Sequence, residues 1–277
     1  MDNRPIGFFD SGLGGLTCIP YILREFPGEG IIYFGDTART PYGSKAPSTI
    51  RKFAFEIADF LTGAHDVKMI AIACNTVSAV AADDLRQRYP DVPIVGIISP
   101  AAHETANTCT KENRIGVIGT KATIESEAYA KKILGFAPGL HVFSHACPAL
   151  VPLIEEGIID NPVMDMTIRY YLDRFIADND IDTLVLGCTH YPLIRKNIEG
   201  LYPGLRIINP SEEMARSVSD ALSGPDIHGY NENPDHVFYA SDLSENFVNM
   251  INLIFSESRS TVSFTNFDLD DYLERRR

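Results

Sequence analysis

Residues 71–76 read AIACNT, and residues 185–190 read VLGCTH. In each stretch, apolar residues typical of a buried strand lead into a cysteine that two polar residues follow. The surroundings also repeat, because IGFFDS at residues 6–11 is echoed by IGVIGT at residues 115–120, at a similar distance before the cysteine. We interpret the chain as two related halves, each of which brings one thiol to the end of a strand.

Apolar runs of strand length alternate with longer stretches of helical periodicity, a pattern typical of parallel sheets covered on both faces. The predicted strands are Ile6–Phe9, Ile31–Phe34, Met69–Ala73, Ile94–Ile98, Ile115–Ile118, His141–Ser144, Leu184–Leu186 and Arg206–Ile208. Helices are predicted most clearly at residues 48–60 and 78–88. We therefore predict an α/β fold of two similar parallel-sheet domains related by pseudo-symmetry, with the active site in the cleft between them.

The length of 277 residues is sufficient for two modest domains, each with its own core. We predict that the chain crosses between the halves near Ser99 and again near Pro210. Residues 1–98 and 210–277 would then form the first domain, and residues 99–209 the second. In the returning tail, the pattern predicts a helix at 212–221, a strand at 237–240 and a helix at 246–255.

Composition restricts the class of protein. The net charge of −13 argues against extended contact with nucleic acid, which requires basic surface. No basic and apolar leader is recognisable before the first strand, and no apolar run approaches the length of a membrane span, so we expect a cytoplasmic protein. An odd number of scattered cysteines predicts free thiols at Cys18, Cys74, Cys109, Cys147 and Cys188.

The paired cysteines, Cys74 and Cys188, are the strongest candidates for chemistry. Each precedes a predicted helix, and the positive end of a helix dipole lowers a thiol pKa from about 8.5 toward neutrality, which makes it a plausible base. The predicted helix caps are Asn75 or Thr76 in the first half and Thr189 in the second, where Pro192 suits an early helical position. A cysteine in an apolar run can instead be a small hydrophobic residue, an interpretation that we keep for Cys18, Cys109 and Cys147.

Residues 10–15 read DSGLGG and follow the first predicted strand. Such glycines allow the backbone to approach a ligand and can open a helix N-terminus that attracts anions. Thr17 occupies the position of the third glycine in the dinucleotide-binding fingerprint, so we expect no Rossmann-type cofactor. Asp10 either caps the next helix or accepts and relays a proton beside Cys74.

His190 lies two residues after Cys188 and could assist the second thiol in the same way. A neutral imidazole can take up a proton near physiological pH. Residues 41–44 read PYGS and form either a simple turn or a wall that closes over a ligand. The sequence pattern does not separate these two interpretations.

Together, these segments resemble the glutamate racemases of the cofactor-independent aspartate/glutamate racemase family. The resemblance is carried, in order, by residues 6–12, 14–17, 34–36, 41–43, 71–76, 115–120, 146–148 and 187–192. It implies a site between two domains that interconverts L-glutamate and D-glutamate with no cofactor and no metal, and D-glutamate is destined for bacterial peptidoglycan. It also implies homodimer formation, which is common in the family.

Carried onto this sequence, the resemblance implies that Cys74 and Cys188 are the acid/base residues, assisted by Asp10 and His190 respectively. It further implies that the ammonium and carboxylates of the substrate are held by Ser11, Tyr42, Gly43, Asn75, Thr76, Thr120 and Thr189. Pro20 and Ala149 depart from the family pattern, outside the proposed chemistry.

Two opposed thiols suit a reaction in which one removes a proton from one face of a carbon and the other returns a proton to the opposite face. Three alternatives stay open: a sister racemase for aspartate or another amino acid, a zinc protein, and a two-lobed module that only binds an amino acid. Zinc ligands would come from Cys74, Cys188, His190 and Asp10, although none of these four belongs to a short CxxC or HxxxH pair. The doubled thiol argues against a binding module.

Overall fold

The computed structural model describes residues 1–223, 227, 229–232, 234–243, 248, 249, 251 and 264–275. The strands are β1 (Ile6–Asp10), β2 (Ile31–Gly35), β3 (Met69–Ile72), β4 (Ile94–Gly96), β5 (Arg114–Gly119), β6 (His141–Ala146), β7 (Thr183–Gly187), β8 (Arg206–Ile208), β9 (His236–Ala240) and β10 (Phe264–Asn266). The α-helices are α1 (Ile19–Glu25), α2 (Pro47–His65), α3 (Asn75–Arg88), α4 (Ile98–Thr108), α5 (Lys121–Glu125), α6 (Ala128–Phe136), α7 (Leu150–Glu155), α8 (Pro162–Asn179), α9 (Arg195–Leu201), α10 (Pro210–Leu222) and α11 (Leu269–Glu274).

These strands form two parallel sheets, which confirms the predicted α/β class. The six-stranded sheet has the order β10-β9-β2-β1-β3-β4, and the four-stranded sheet has the order β6-β5-β7-β8. Strands β1, β2, β3 and β7 are buried at every residue, as expected for apolar strands with both faces covered.

Strand register brings the candidate segments together at one edge of each sheet. In the first sheet, Phe9 of β1 lies opposite both Phe34 and Ile72, so the loops after β1, β2 and β3 leave side by side. In the second sheet, Gly119 of β5 lies opposite Ala146 and Gly187, which aligns the loops after β5, β6 and β7. Each half therefore presents its predicted site residues from neighbouring strand ends.

The tail of the chain joins the first sheet, because β9 pairs with β2 and β10 pairs with β9. Aromatic rings of the tail also pack against helix α2. The ring of Phe60 in α2 lies 5.3 Å from Tyr239, 4.5 Å from Phe267 and 5.2 Å from Tyr272, measured between centroids. The exact domain boundaries at 98/99 and 209/210 stay a prediction.

Several element bounds differ from the prediction. The strand predicted at Ile94–Ile98 ends at Gly96, and Ile98 already begins α4, because Pro100 fits the first turn of a helix, where its missing N–H is not needed. Helix α3 begins at Asn75, three residues earlier than predicted. The helix predicted at 246–255 lies largely outside the described residues. Among the described residues, no helix combines the length and apolar character that a bilayer crossing requires.

Candidate active site

A cavity of about 210 Å³ lies where the carboxyl ends of the two sheets face each other. All the predicted site residues except Asp10 line it: Ser11, Tyr42, Gly43, Cys74, Asn75, Thr76, Thr120, Cys188, Thr189 and His190. A larger cavity of about 500 Å³, bordered by α1, α4 and α10, contains neither thiol of the repeated motifs. The smaller cavity is therefore where the candidate chemistry lies.

Cys74 is itself the N-cap of α3. Its Sγ accepts the backbone N–H of Val77 at 3.4 Å and donates to Oγ of Ser11 at 3.4 Å. The prediction that Asn75 or Thr76 caps this helix is wrong, because a short polarisable sulfur already occupies that position and both residues lie inside the helix. Neither side chain serves as a cap, and both residues line the cavity.

The electrostatic setting of Cys74 also differs from the prediction. Burial, followed by the nearby negative charge of Asp10, raises the pKa of the Cys74 thiol well above its usual value. The hydrogen bonds with Ser11 and Val77 act in the opposite direction but do not compensate. The expected fall in pKa at the helix N-terminus is therefore wrong for this thiol, and Cys74 is protonated at neutral pH in the free protein.

Asp10, the last residue of β1, is fully buried behind the cavity wall. Its Oδ2 accepts the backbone N–H of Gly15 at 2.9 Å, at the start of a 3₁₀ helix that spans Gly14–Cys18. Its Oδ1 is buried and has no hydrogen-bond partner in the described part of the chain. One oxygen thus anchors the glycine-rich loop, and the charge of the carboxylate acts on Cys74.

The second thiol has a cationic neighbour. Sγ of Cys188 lies 3.8 Å from Nδ1 of His190, and Nε2 of His190 lies 3.0 Å from Oε1 of Glu155. Burial lowers the pKa of His190, but hydrogen bonds and charge interactions with Cys188 and Glu155 raise it more, to about 10. His190 is therefore an imidazolium at neutral pH rather than the neutral imidazole that we expected.

Sequence reasoning missed Glu155. It is the last residue of α7, 35 positions before its histidine partner, and no local motif connects the two. Its side chain is 27% exposed, so the sequence pattern around it is that of an ordinary helix surface. Only the packing of α7 against the turn after β7 brings the carboxylate to the ring of His190.

The chain after Cys188 does not repeat the helix start after Cys74. A tight turn, closed by the N–H of Tyr191 on the carbonyl of Cys188 at 3.1 Å, comes first, and a 3₁₀ helix follows at Tyr191–Ile194. The prediction that Thr189 caps a helix is wrong, because the helix begins two residues later. Pro192 does lie in its first turn, as predicted.

Three threonines from the two halves form a hydroxyl cluster. Oγ1 of Thr76 lies 3.0 Å from Oγ1 of Thr120 and 3.3 Å from Oγ1 of Thr123. Thr120 also caps α5 by accepting the N–H of Thr123 at 3.3 Å. The loop after β3 and the loop after β5 therefore contact each other directly at the wall of the cavity.

The loop at 40–44 packs across the same cleft. The hydroxyl of Tyr42 donates to Oδ2 of Asp36, which Nε of Arg39 also contacts at 2.7 Å. A Cβ on Gly43 would lie 2.6 Å from Cβ of Thr120, so a larger residue would push this loop away from the second half. Of the two interpretations for this segment, the geometry favours a cavity wall rather than a simple turn.

In the portion of the chain that the structure describes, no group of three or more His, Cys, Asp or Glu side chains is arranged to hold a metal ion. Cys18, Cys109 and Cys147 are buried and free. The zinc alternative therefore has no ligand cluster among these residues.

Comparison with known proteins assigns this chain to a family. The sequence model of Asp/Glu/Hydantoin racemases matches residues 18–218. The chain belongs to the Asp/Glu/Hydantoin racemase family. This membership confirms the predicted resemblance and the predicted enzyme class, an isomerase.

Individual relatives of this racemase agree in sequence and in fold. The chain is 44% identical over 254 residues to a glutamate racemase of Geobacter metallireducens, covering 91% of this chain and 93% of the relative. It superposes on a glutamate racemase of Francisella tularensis crystallised with D-glutamate at a TM-score of 0.90 and 37% identity, covering 98% of this chain and 100% of that one. A glutamate racemase isoform of Bacillus anthracis gives a TM-score of 0.89 at 36% identity, with 97% and 99% covered.

Proposed function

We propose that this protein is a glutamate racemase, which interconverts L-glutamate and D-glutamate with two opposed thiols and no cofactor. The observation that carries the proposal is that Cys74 and Cys188, from different sheets, line one cavity. The relatives of known name support glutamate as the substrate, since they cover nearly the whole chain.

In this mechanism the Cys188 side begins as the base. Cys188 acts as the thiolate in this direction, and the imidazolium of His190, which contacts Glu155, lies 3.8 Å from its sulfur. The thiolate removes the α-proton from the face of the substrate that it contacts. Cys74, kept protonated by burial and by Asp10, returns a proton to the other face, so the carbon inverts without the substrate turning over.

In the reverse direction, Cys74 must lose its proton. A bound amino acid brings its own ammonium group into the cavity, and this positive charge offsets the negative charge of Asp10 beside the sulfur. Oδ1 of Asp10, which has no partner among the described residues, would accept or relay the proton. Substrate binding thus favours the ionised form of Cys74. Without substrate the thiol stays protonated, which limits side reactions of a thiolate.

The charge that develops on the substrate's carboxylate requires stabilisation, because deprotonation at the α-carbon forms an enediolate-like transition state. Backbone N–H groups and hydroxyls around the cavity would act as an oxyanion hole. We assign substrate binding to the lining residues that the family resemblance implies: Ser11, Tyr42, Gly43, Asn75, Thr76, Thr120 and Thr189. The hydroxyl of Tyr42 is engaged with Asp36, so Tyr42 would contribute its ring and backbone.

The physiological role that we propose is the supply of D-glutamate for peptidoglycan, and hence for cell wall biogenesis and cell shape. The free cysteines are consistent with the predicted cytoplasmic location, and a homodimer stays a prediction. Expression in a bacterium that lacks its own glutamate racemase should restore growth without added D-glutamate. Failure of well-expressed, folded protein to do so would contradict this role.

The activity itself is tested with a panel of D- and L-acidic amino acids followed by polarimetry. We expect loss of optical rotation with either enantiomer of glutamate and much slower change with aspartate. Faster racemisation of aspartate would favour the sister-racemase alternative. Tight binding of glutamate without entry of solvent deuterium at the α-carbon would instead indicate a binding module.

A further inference from the structure

Tyr129, near the start of α6, does not line the cavity, yet it contacts the residues beside both thiols. Its hydroxyl donates to Oδ1 of Asn75, the residue after Cys74, at 2.5 Å. Its ring lies against Gly187, the residue before Cys188: a Cβ there would be 3.1 Å from Cε2 of the ring. One side chain, 2% exposed, therefore connects the two strand ends that carry the thiols.

The hydrogen bond to Tyr129 determines which way the amide of Asn75 points. Oδ1 is occupied by the phenol, whereas Nδ2 is buried and has no partner among the residues that the structure describes. Asn75 lines the cavity, so the unpaired N–H₂ group is next to the space that a ligand would fill. A buried donor without an acceptor is costly, and a ligand oxygen would satisfy it.

The phenol is suited to this task because it stays neutral and keeps a proton to donate. Burial, and to a lesser extent the charges of Cys188 and Cys18, raise the pKa of Tyr129 well above its ordinary value. With the opposite orientation of the amide, the phenolic proton would face the N–H₂ group and lose its acceptor. The orientation with Nδ2 toward the cavity thus keeps the phenolic proton paired and leaves Nδ2 for a ligand oxygen.

We propose that Tyr129 is a positioning residue, which fixes the amide of Asn75 so that Nδ2 donates to a carboxylate oxygen of the bound amino acid. The proposal rests on the proposed racemase function and deepens it. Because Tyr129 belongs to the half that carries Cys188, the donor in the first half is oriented by a contact from the second half. Substrate recognition and alignment of the two thiols would then depend on the same interface.

The first test is Tyr129→Phe, which keeps the ring against Gly187 and removes only the hydroxyl. We expect KM for both enantiomers of glutamate to rise about fivefold to tenfold, with kcat within about threefold of wild type, because a binding contact is lost in ground and transition states alike. Tyr89→Phe is the matched control, since it removes a hydroxyl that donates to Asp59 at 2.5 Å, at the end of α3 opposite Asn75. Its KM should equal that of wild type.

A double-mutant cycle separates positioning from packing. In an Asn75→Ala background, Tyr129→Phe should change KM no further, because the amide through which it acts is gone. An equal rise in KM with and without Asn75 would overturn the proposal and leave Tyr129 with a packing role only. Asn75→Asp, which still accepts from the phenol but offers no N–H, should raise KM at least as much as Asn75→Ala does.

The wild-type protein in the same assay keeps this proposal separate from the function it rests on. No racemisation of glutamate by wild type would refute the proposed function, whereas active wild type with unchanged KM in Tyr129→Phe would refute the positioning role alone. Circular dichroism would establish that the variants fold. If Tyr129→Phe does not fold, Asn75→Asp tests the proposal instead. A wild-type KM in that variant would show that the Nδ2 group of Asn75 is not needed and would refute the proposal.

Discussion

The surroundings of Cys74 and Cys188 differ far more than their sequences. Cys74 caps a 14-residue helix, donates to Ser11 and lies near the buried carboxylate of Asp10. Cys188 precedes a tight turn and lies 3.8 Å from His190, whose pKa is raised by its contacts with Cys188 and Glu155. The first sulfur thus faces an anion and the second faces a cation.

This difference teaches that a repeated motif need not repeat its electrostatics. A catalyst that exchanges the roles of two thiols requires one to begin as acid and the other as base, and identical surroundings would give both the same protonation state. In the mechanism that we propose, the opposite neighbours would assign these two roles. The predictions below test whether this asymmetry governs the reaction.

The largest effect is expected from replacing the thiols themselves. Cys74→Ser and Cys188→Ser should each lower net racemisation by about 10³-fold or more, since serine is a far weaker base in the same place. Solvent deuterium entry, followed by NMR for each enantiomer separately, sharpens the comparison. Each variant should exchange the α-proton of one enantiomer only, and the two variants should exchange opposite ones.

Cys109→Ser is the control for this experiment, because Cys109 is buried away from the cavity, with its sulfur 3.9 Å from Thr183. It should racemise glutamate as wild type does. Exchange of the same enantiomer by both active-site variants, or full turnover by either, would contradict the two-thiol scheme.

The next effect concerns the charged neighbours. Asp10→Asn and His190→Asn should each slow racemisation by about 10²-fold, because each assists proton transfer at one sulfur. The two variants should differ in how kcat/KM depends on pH. In wild type, kcat/KM for the direction in which Cys188 returns a proton should fall as pH rises through about 10, where His190 loses its proton.

That high-pH fall should be absent or displaced in His190→Asn and retained in Asp10→Asn, as measured by kcat/KM for each enantiomer across the pH range. If both variants kept the same profile, the asymmetry between the two sides would have no kinetic role.

The smallest effect is expected for Glu155→Gln, which keeps the size of the side chain and removes its charge. Racemisation should fall about tenfold, consistent with loss of one charge-assisted hydrogen bond. The pKa of His190 should move down toward its ordinary value, because one of the two groups that raise it is gone. Titration of the His190 ring by NMR measures this shift.

Thermal stability provides a second test of the interaction between Glu155 and His190. Because the folded-state pKa of His190 is raised from 6.5 to about 10, the stability it contributes is fully present below pH 6.5 and is lost as pH rises through about 10. Wild type should therefore melt at a higher temperature than Glu155→Gln near neutral pH, and the difference should shrink at high pH. Glu199→Gln, which removes an exposed partner of Arg195, is a control that should show no such dependence.

Local sequence patterns predicted the fold and the polar residues at the strand ends, and the family resemblance supplied the other cavity residues. Fully apolar strands require burial on both faces, and alternation with helices requires parallel pairing. The carboxyl ends of the strands therefore had to lie side by side at one end of each sheet. The residues at those ends, such as Cys74 and Thr120, were therefore identifiable without coordinates. Their roles in the reaction stay predictions.

The sequence did not predict the protonation states. The helix dipole suggested a lowered pKa for Cys74, but burial and Asp10, which are tertiary effects, outweigh it. Likewise, Glu155 and Tyr129 carry no motif, because their importance comes from partners 35 and 54 positions away. A sequence pattern reports on neighbours within a few residues, and these contacts lie beyond that range.

By itself, the sequence determined that two α/β halves each deliver one thiol to a strand end, because hydrophobic periodicity and short motifs act along the chain. Only the tertiary structure decided that one thiol faces a buried carboxylate and the other an imidazolium, and that Tyr129 of one half orients Asn75 of the other. The physical reason is that charge and hydrogen-bond energies depend on distance and burial in space, and helix packing sets both.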